Sequence, residues 1–333
     1  MRFVIAILLA ATTSAFGANY PAPVEHDFVV HDYHLRSGAV LPEVHIHYAT
    51  IGTQRPGNGV LVLHGTGGSL HQFLNDRFAG VLFAPGGVLD AQRYFIIIPD
   101  NLGHGASSKP SDGQHWQFPH YDYEDMVDLQ HRLVTEGLGI DHLFLVMGTS
   151  MGGMHTWMWG ERWPKMMDAL VPLASRPEAI AGRNRVWRKM MTDDLHNRNP
   201  VAALQILMLV TSAPLPWEKA LPTAVDADHW LQTQMQNRVK TLHEDDLFYA
   251  LDASRDYDPS PELEKIEAPL LAINSADDFI NPPELGVMER LIRRVKQGRY
   301  LLIPMSERTQ GHGTHTLAAV WEKPFGEFLR SIR

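Results

Sequence analysis

Leu143-Phe144-Leu145-Val146-Met147-Gly148-Thr149-Ser150-Met151-Gly152-Gly153 is the stretch on which the reading of this 333-residue chain turns. A short apolar run leads into a glycine-flanked serine, and a helix-forming segment follows. That order predicts a strand, a sharp turn and a helix, the setting in which Gly-x-Ser-x-Gly presents its serine as a nucleophile. Small residues at Gly148 and Gly152 let strand and helix approach closely while Ser150 takes a strained backbone conformation. The alternative is a βα turn with an incidental serine, and the flanking sequence has to decide between them.

Upstream, Val60-Leu61-Val62-Leu63 is the continuous apolar run expected of a parallel strand buried on both faces. His64-Gly65-Thr66-Gly67-Gly68-Ser69 follows at once. A glycine-rich turn at a strand's carboxyl end can aim bare N–H groups at developing negative charge. It has neither the Gly-Lys-Ser/Thr ending of a phosphate loop nor Gly-x-Gly-x-x-Gly spacing. Tyr94 to Ile98 predicts a further buried strand, and Asp125 to Leu138 a helix with Gly139 at its C-terminal cap. His142 to Met147 is then the strand before Ser150, Gly152 to Trp163 the helix after it, and Ala169 to Leu173 the next strand. Nearer the N-terminus, Phe28 to Val30 and Val44 to Tyr48 read as two strands around a turn.

After Pro269 the rhythm resumes, with a strand at Leu270 to Asn274, a helix at Glu284 to Val295, a strand at Arg299 to Ile303 and a closing helix at Thr314 to Ile332. Alternating strands and helices predict an α/β fold with a mostly parallel sheet and helices on both faces. Between Arg176 and Tyr257 the alternation stops. Helical patches at Val186 to Leu195 and Val201 to Leu209 are interrupted by Pro200, Pro214, Pro216 and Pro222. This predicts a helical lid insertion at residues 176–260, with residues 18–175 and 261–333 forming the core.

Composition narrows the chemistry. Hydrophobic residues make up 44% and charged residues 20%, which places the chain among folded globular proteins. A net charge of −9 without a long Lys/Arg run argues against nucleic acid or an acidic membrane surface as partner. The absence of cysteine excludes disulfides, thiolate-bound zinc and a thiol nucleophile. At the start, Arg2, the apolar run Phe3 to Ala11, and the small residues Ala15 and Gly17 read as an export signal at residues 1–17. Secretion or a periplasmic location is expected from it.

A hydroxyl is a weak nucleophile at neutral pH and needs a base, which in turn needs an orienting carboxylate. The chain offers Ser150, then Asp277 and Asp278, then His312, each just after a predicted strand. In a parallel sheet such loops gather at one edge. Asp278 is preferred over Asp277 as the acid. The oxyanion donors expected with Ser150 are the backbone N–H groups of Met151 and Thr66. A rival metal reading rests on His45-x-His47 and His312-x-x-His315, but no metallo-hydrolase spacing follows them. Neither a metal nor a cofactor is expected.

Several stretches carry a family resemblance. They are Gly38-Ala39-Val40-Leu41-Pro42, Tyr48-Ala49-Thr50-Ile51-Gly52-Thr53, Leu63-His64-Gly65, Asn101-Leu102-Gly103, Ser150-Met151-Gly152-Gly153-Met154, Asp278-Phe279-Ile280-Asn281-Pro282-Pro283 and Gly311-His312. In these the chain resembles an α/β-hydrolase of the homoserine O-acetyltransferase-like branch. The resemblance implies an α/β-hydrolase fold and acyl-enzyme chemistry on a Ser150–His312–Asp278 triad. It also implies an arginine in the first lid helix that holds a substrate carboxylate, for which Arg188 is the candidate, with Arg183 and Arg185 as neighbouring alternatives.

The acetyltransferases usually carry Gly where Thr149 stands, Gln where His155 stands and Asp where Gly313 stands. These departures and the export signal make water the expected acyl acceptor. The expectation is a secreted serine hydrolase that cleaves a small-molecule carboxylic ester. The alternatives are a homoserine O-acetyltransferase-like acyltransferase and a non-catalytic relative that binds small molecules. The pattern fixes no oligomeric state, and a homodimer is compatible with it.

Overall fold

The computed structural model describes residues 19–332; the predicted export signal lies outside them. Among the described residues one sheet has eight strands in the order β1-β2-β4-β3-β5-β6-β7-β8. β1 (Val24–His34) and β2 (Val40–Ile51) form an antiparallel hairpin that joins the sheet through β4 (Phe95–Pro99). From β4 onward all pairings are parallel, through β3 (Gly59–Leu63), β5 (Leu145–Thr149), β6 (Leu170–Leu173), β7 (Leu270–Ser275) and β8 (Gly298–Ile303).

Alternate residues of the central strands feed two cores. Leu61, Leu63, Val146 and Leu170 point to one face, where α2 (Tyr123–Arg132) and α3 (Met151–Arg162) bury Met126, Leu129, Trp157 and Trp159. Val60, Val62, Leu145 and Val171 point to the other, against α1 (Ala79–Leu82) and α10 (Ala318–Ser331), whose Trp321 and Phe325 are fully buried. Burying each such large apolar side chain contributes about 1.5–3 kcal/mol. These uninterrupted buried strands are why the sheet was readable as apolar runs.

Between β6 and β7 lie α4 (Gly182–His196), α5 (Pro200–Thr211), α6 (Pro214–Ala220), α7 (Ala224–Thr241) and α8 (Glu244–Asp252). They share an apolar cluster that includes Trp187, Met191, Leu204 and Leu251, and Ile280 joins it from the core loop after β7. Pro200 and Pro214 were expected to interrupt helices. Each instead begins one, because a proline in the first turn gives up an N–H that has no helical partner there.

Helix boundaries differ from expectation in other places as well. The predicted helix Glu284 to Val295 is broken: Gly286 takes a left-handed conformation with φ 59°, leaving α9 (Val287–Leu291) between two 3-10 turns. The closing helix starts at Ala318, after a separate 3-10 segment at Gly311–Thr316. α2 begins at Tyr123, since the Asp122 and Asp125 carboxylates accept each other's backbone N–H and fix the start there. Among the described residues no single helix is long and apolar enough to cross a membrane.

Candidate active site

Ser150 sits between β5 and α3 with φ 54° and ψ −114°. Such a conformation costs a non-glycine residue about 1–3 kcal/mol and persists only when the surroundings over-determine it. Here its N–H donates to the Leu173 carbonyl at 2.9 Å, and its carbonyl accepts the Met154 N–H at 2.9 Å. The flanking glycines are sterically required. A Cβ on Gly148 would collide with the backbone of Gly152, and one on Gly152 with the Leu63 carbonyl.

His312 arrives on the 3-10 segment after β8. Its Nε2 accepts from Ser150 Oγ at 2.8 Å, and its Nδ1 donates to Asp278 Oδ2 at 2.8 Å. A carboxylate at Nδ1 holds the proton on that nitrogen, leaving Nε2 free to take one from the serine. Asp278 is 2% exposed. Burial alone pushes its carboxyl up, but the adjacent His312 and hydrogen bonds from Asn281 outweigh this and leave it below the usual range. Oδ1 accepts the Ile280 N–H at 2.8 Å, and Oδ2 accepts the Asn281 amide at 3.0 Å.

Asp277, the alternative acid, does not touch His312. It accepts from the Thr309 hydroxyl at 2.9 Å, from the Gly311 N–H at 3.0 Å, and from Ser275 Oγ. It therefore ties down the loop that carries His312. The two neighbouring acids have separate partners.

On the other side of the serine, the Gly65–Gly68 turn closes with the Gly68 N–H on the Gly65 carbonyl at 3.0 Å. A Cβ on Gly65 would stand 3.4 Å from that of Ser150, so the turn lies against the nucleophile. Among the described residues the Thr66 N–H makes no hydrogen bond. The Met151 N–H opens α3 and so lacks a helical acceptor. Behind the turn, His64 is fully buried and held neutral, its pKa brought down by burial to about 4. Its Nε2 accepts the Asn101 N–H at 3.1 Å, and its Nδ1 donates to the Gly65 carbonyl at 2.9 Å.

Arg188 comes from α4. It shares a cavity with Ser150, Met154, Arg176, Asn281 and His312. It is 6% exposed, and its hydrogen bonds go to neutral acceptors, Asn184 Oδ1 at 3.0 Å and Ser254 Oγ at 3.1 Å. Burial lowers its pKa from the ordinary arginine value, and the adjacent Tyr123 opposes the shift. Among the described residues it has no carboxylate partner. The Tyr123 hydroxyl lies beside Arg188, Ser254 and Thr66. Among the described residues neither it nor the buried Thr66 hydroxyl makes a hydrogen bond. A wider groove of about 740 Å³ opens from Thr66 toward the helices between β6 and β7, past Lys109, Leu204, Arg238 and Leu247.

The residues of the metal reading do not converge. His45 pairs with Glu43 at 2.7 Å and His47 with Asp27 at 3.0 Å. His312 has both ring nitrogens committed, and burial keeps His315 neutral, with a pKa near 3. Among the described residues one other group, His243, Asp245 and Asp246, has metal-ligand spacing. Its carboxylates are engaged, Asp245 by His115 at 2.7 Å and Asp246 by Ser111 at 2.7 Å. Sequence reasoning assigned no role to Gln72, Tyr123 or Asn281. Asn281 stood inside a quoted motif, and nothing in the sequence marked the other two.

The family model for the alpha/beta hydrolase fold matches residues 58–309. Among curated proteins, the chain is 37% identical over 159 residues to a homoserine O-acetyltransferase of Moorella thermoacetica, which covers 43% of this chain and 42% of that enzyme. It is 35% identical over 182 residues to a homoserine O-succinyltransferase of Magnetococcus marinus, covering 49% of this chain and 46% of that enzyme. The chain thus spans less than half the length of either relative. Among solved structures it resembles esterase E22, with a TM-score of 0.80 at 17% identity, over 92% of this chain and all of that one. At that identity the likeness concerns the fold alone.

Proposed function

The chain belongs to the α/β-hydrolase fold family, and from that premise we propose that it transfers an acyl group through Ser150 to a small hydroxy acid of the homoserine class. Ser150 Oγ attacks the donor carbonyl while His312 Nε2 takes its proton. The tetrahedral oxyanion is met by the N–H groups of Thr66 and Met151. As the carbonyl re-forms, the leaving group departs with the proton from His312. The acceptor hydroxyl then gives its proton to the same nitrogen and attacks the acyl-enzyme. Collapse returns the proton to Ser150 and releases the new ester. Asp278 stabilises the imidazolium formed in each half.

The observation that carries the acceptor class is the unpaired charge of Arg188. A buried guanidinium cannot shed its proton and is costly without an anionic partner. A substrate carboxylate would supply that partner in the cavity shared with Ser150. The names of the curated relatives support acyl transfer to an alcohol. The sequence-based expectation of water as acceptor gives way to this reading.

Hydrolysis remains the second reading. Gly313 stands where the acetyltransferases carry Asp, and the export signal read at residues 1–17 would separate the enzyme from cytosolic acyl donors. The test is to supply acetyl-CoA or succinyl-CoA with L-homoserine, and p-nitrophenyl acetate in parallel, with products followed by mass spectrometry. An O-acylhomoserine product that disappears in Ser150→Ala is expected. Free acid as the sole product would establish hydrolysis. No product, together with failure of a fluorophosphonate to label Ser150, would leave a binding protein.

A further inference from the structure

The glycine turn that offers Thr66 and the elbow that offers Ser150 belong to different strands, β3 and β5, and one side chain joins them. Gln72 lies on the short 3-10 turn Leu70–Gln72, which is held from below because the Leu70 N–H donates to Asp100 Oδ1 at 2.6 Å and the next side chain, Phe73, is fully buried. Its Oε1 accepts the Gly65 N–H at 3.1 Å, and its Nε2 donates to the Thr149 hydroxyl at 2.9 Å. The amide can stand only one way round. A backbone N–H is purely a donor and must face the oxygen, so the NH₂ must face the hydroxyl.

Gly65 directly precedes Thr66, and the fully buried Thr149 directly precedes Ser150. Gln72 therefore grips the peptide next to the oxyanion donor and the residue next to the nucleophile at once. It also occupies the Gly65 N–H, so that the Thr66 N–H is the one left facing the reaction. The packing admits little slack, since a Cβ on Gly68 would come 2.5 Å from Gln72 Oε1.

We propose that Gln72 is a positioning residue that, through Thr149, fixes the distance between the Thr66 N–H and the oxygen of Ser150. This rests on the acyl-enzyme reading above. The bond that matters forms only when the carbonyl oxygen moves out of plane, so a slack turn should harm the tetrahedral state and spare the planar substrate. A misplacement of about 1 Å can cost on the order of 100-fold in rate.

The test uses the full chain and an activated acetyl ester, with Gln72→Ala, Thr149→Val and the double variant. Expected is a loss in kcat of about 10- to 100-fold in each single variant, with KM within about threefold. The double variant should be no worse than about threefold below the weaker single, because both substitutions cut the same tie. Inhibition by a methylboronic acid, which becomes tetrahedral on Ser150, should weaken by the same factor as kcat. Thr149→Ser keeps the hydroxyl and should restore most of the rate. Additive losses, a raised KM at unchanged kcat, or unchanged boronate affinity alongside a lowered kcat would each overturn the clamp. So would unchanged kinetics in Gln72→Ala, provided Ser150→Ala is inactive. Turnover that survives in Ser150→Ala would instead overturn the acyl-enzyme reading, whatever Gln72 does.

Discussion

The loop after β7 that carries Asp278 and the helix α4 that carries Arg188 treat a buried charge in opposite ways. Asp278, 2% exposed, is met by the His312 ring, the Asn281 amide and two backbone N–H groups. Arg188, 6% exposed, is met by an amide oxygen, a serine hydroxyl and the face of Trp187 at 4.7 Å, none of which carries a negative charge. The first charge is compensated within the chain before anything binds. The second has no carboxylate partner among the described residues. The loops at the sheet edge thus hold a charge whose pairing is finished, and the helices between β6 and β7 hold one whose pairing is unfinished.

The comparison is broken most directly at the finished end. Asp278→Asn keeps the shape but removes the charge and favours the wrong tautomer of His312, so kcat should fall by about 10⁴-fold. Asp277→Asn, one residue away, acts only through the loop of Thr309 and Gly311 and should lose less than about 30-fold by displacing His312 slightly. Steady-state kinetics of the two variants on one ester decide the matter. Equal losses would mean that the site treats the two acids alike and that their distinct hydrogen bonds do not divide the work.

At the unfinished end, Arg188→Met should leave turnover of an uncharged activated ester within about threefold, because the reacting atoms keep all their partners. For an acceptor that carries a carboxylate, kcat/KM should drop by about 100-fold or more, the range expected when one partner of a buried charged pair is truncated. The variant should also melt no lower than the starting protein in the absence of ligand, since an uncompensated buried charge has been replaced by an apolar chain. A marked fall in melting temperature would show that Asn184 and Ser254 compensate the guanidinium adequately, and the anion-site reading of Arg188 would fail.

What could be read from sequence follows the same division. Val60 to Leu63 and Tyr94 to Ile98 were legible because strands buried on both faces are apolar without interruption. β1 and β2 run longer than expected because their ladder continues through Glu25, Asp27 and His31, whose exposed side chains carry no hydrophobic signal. That Ser150, Asp278 and His312 would meet could be anticipated because each lies in a segment that follows a strand, and the structure brings them into contact. Gln72 was not legible. Its contact with Thr149 spans 77 positions, and a glutamine in a loop looks like any solvated residue until the fold brings the two together. Pro200 and Pro214 misled because a proline reads as a stop, whereas at a first helical position it is a start.

Glu161, half-buried near the end of α3, points to a third way of handling a charge away from water, which is to hold the proton. Its carboxyl is pushed up to about 9, first by burial and then by Glu262 and Glu124, with only partial relief from Lys265. One of its oxygens is buried and without a partner. An unfolded chain releases this proton near the ordinary value of 4.5, whereas the native chain keeps it to about 9. Between those values the native state binds more protons than the unfolded one, so stability falls as pH rises, with a slope of at most about 1.4 kcal/mol per pH unit. Below 4.5 this group contributes no pH dependence. Glu161→Gln keeps a neutral side chain of the same shape and should flatten the decline. Melting temperatures of the two proteins between pH 6 and pH 9 provide the measurement, and the starting protein should lose several degrees more than the variant. Parallel curves would mean that Glu161 ionises normally, and that α3 carries a third charge whose partner has still to be found.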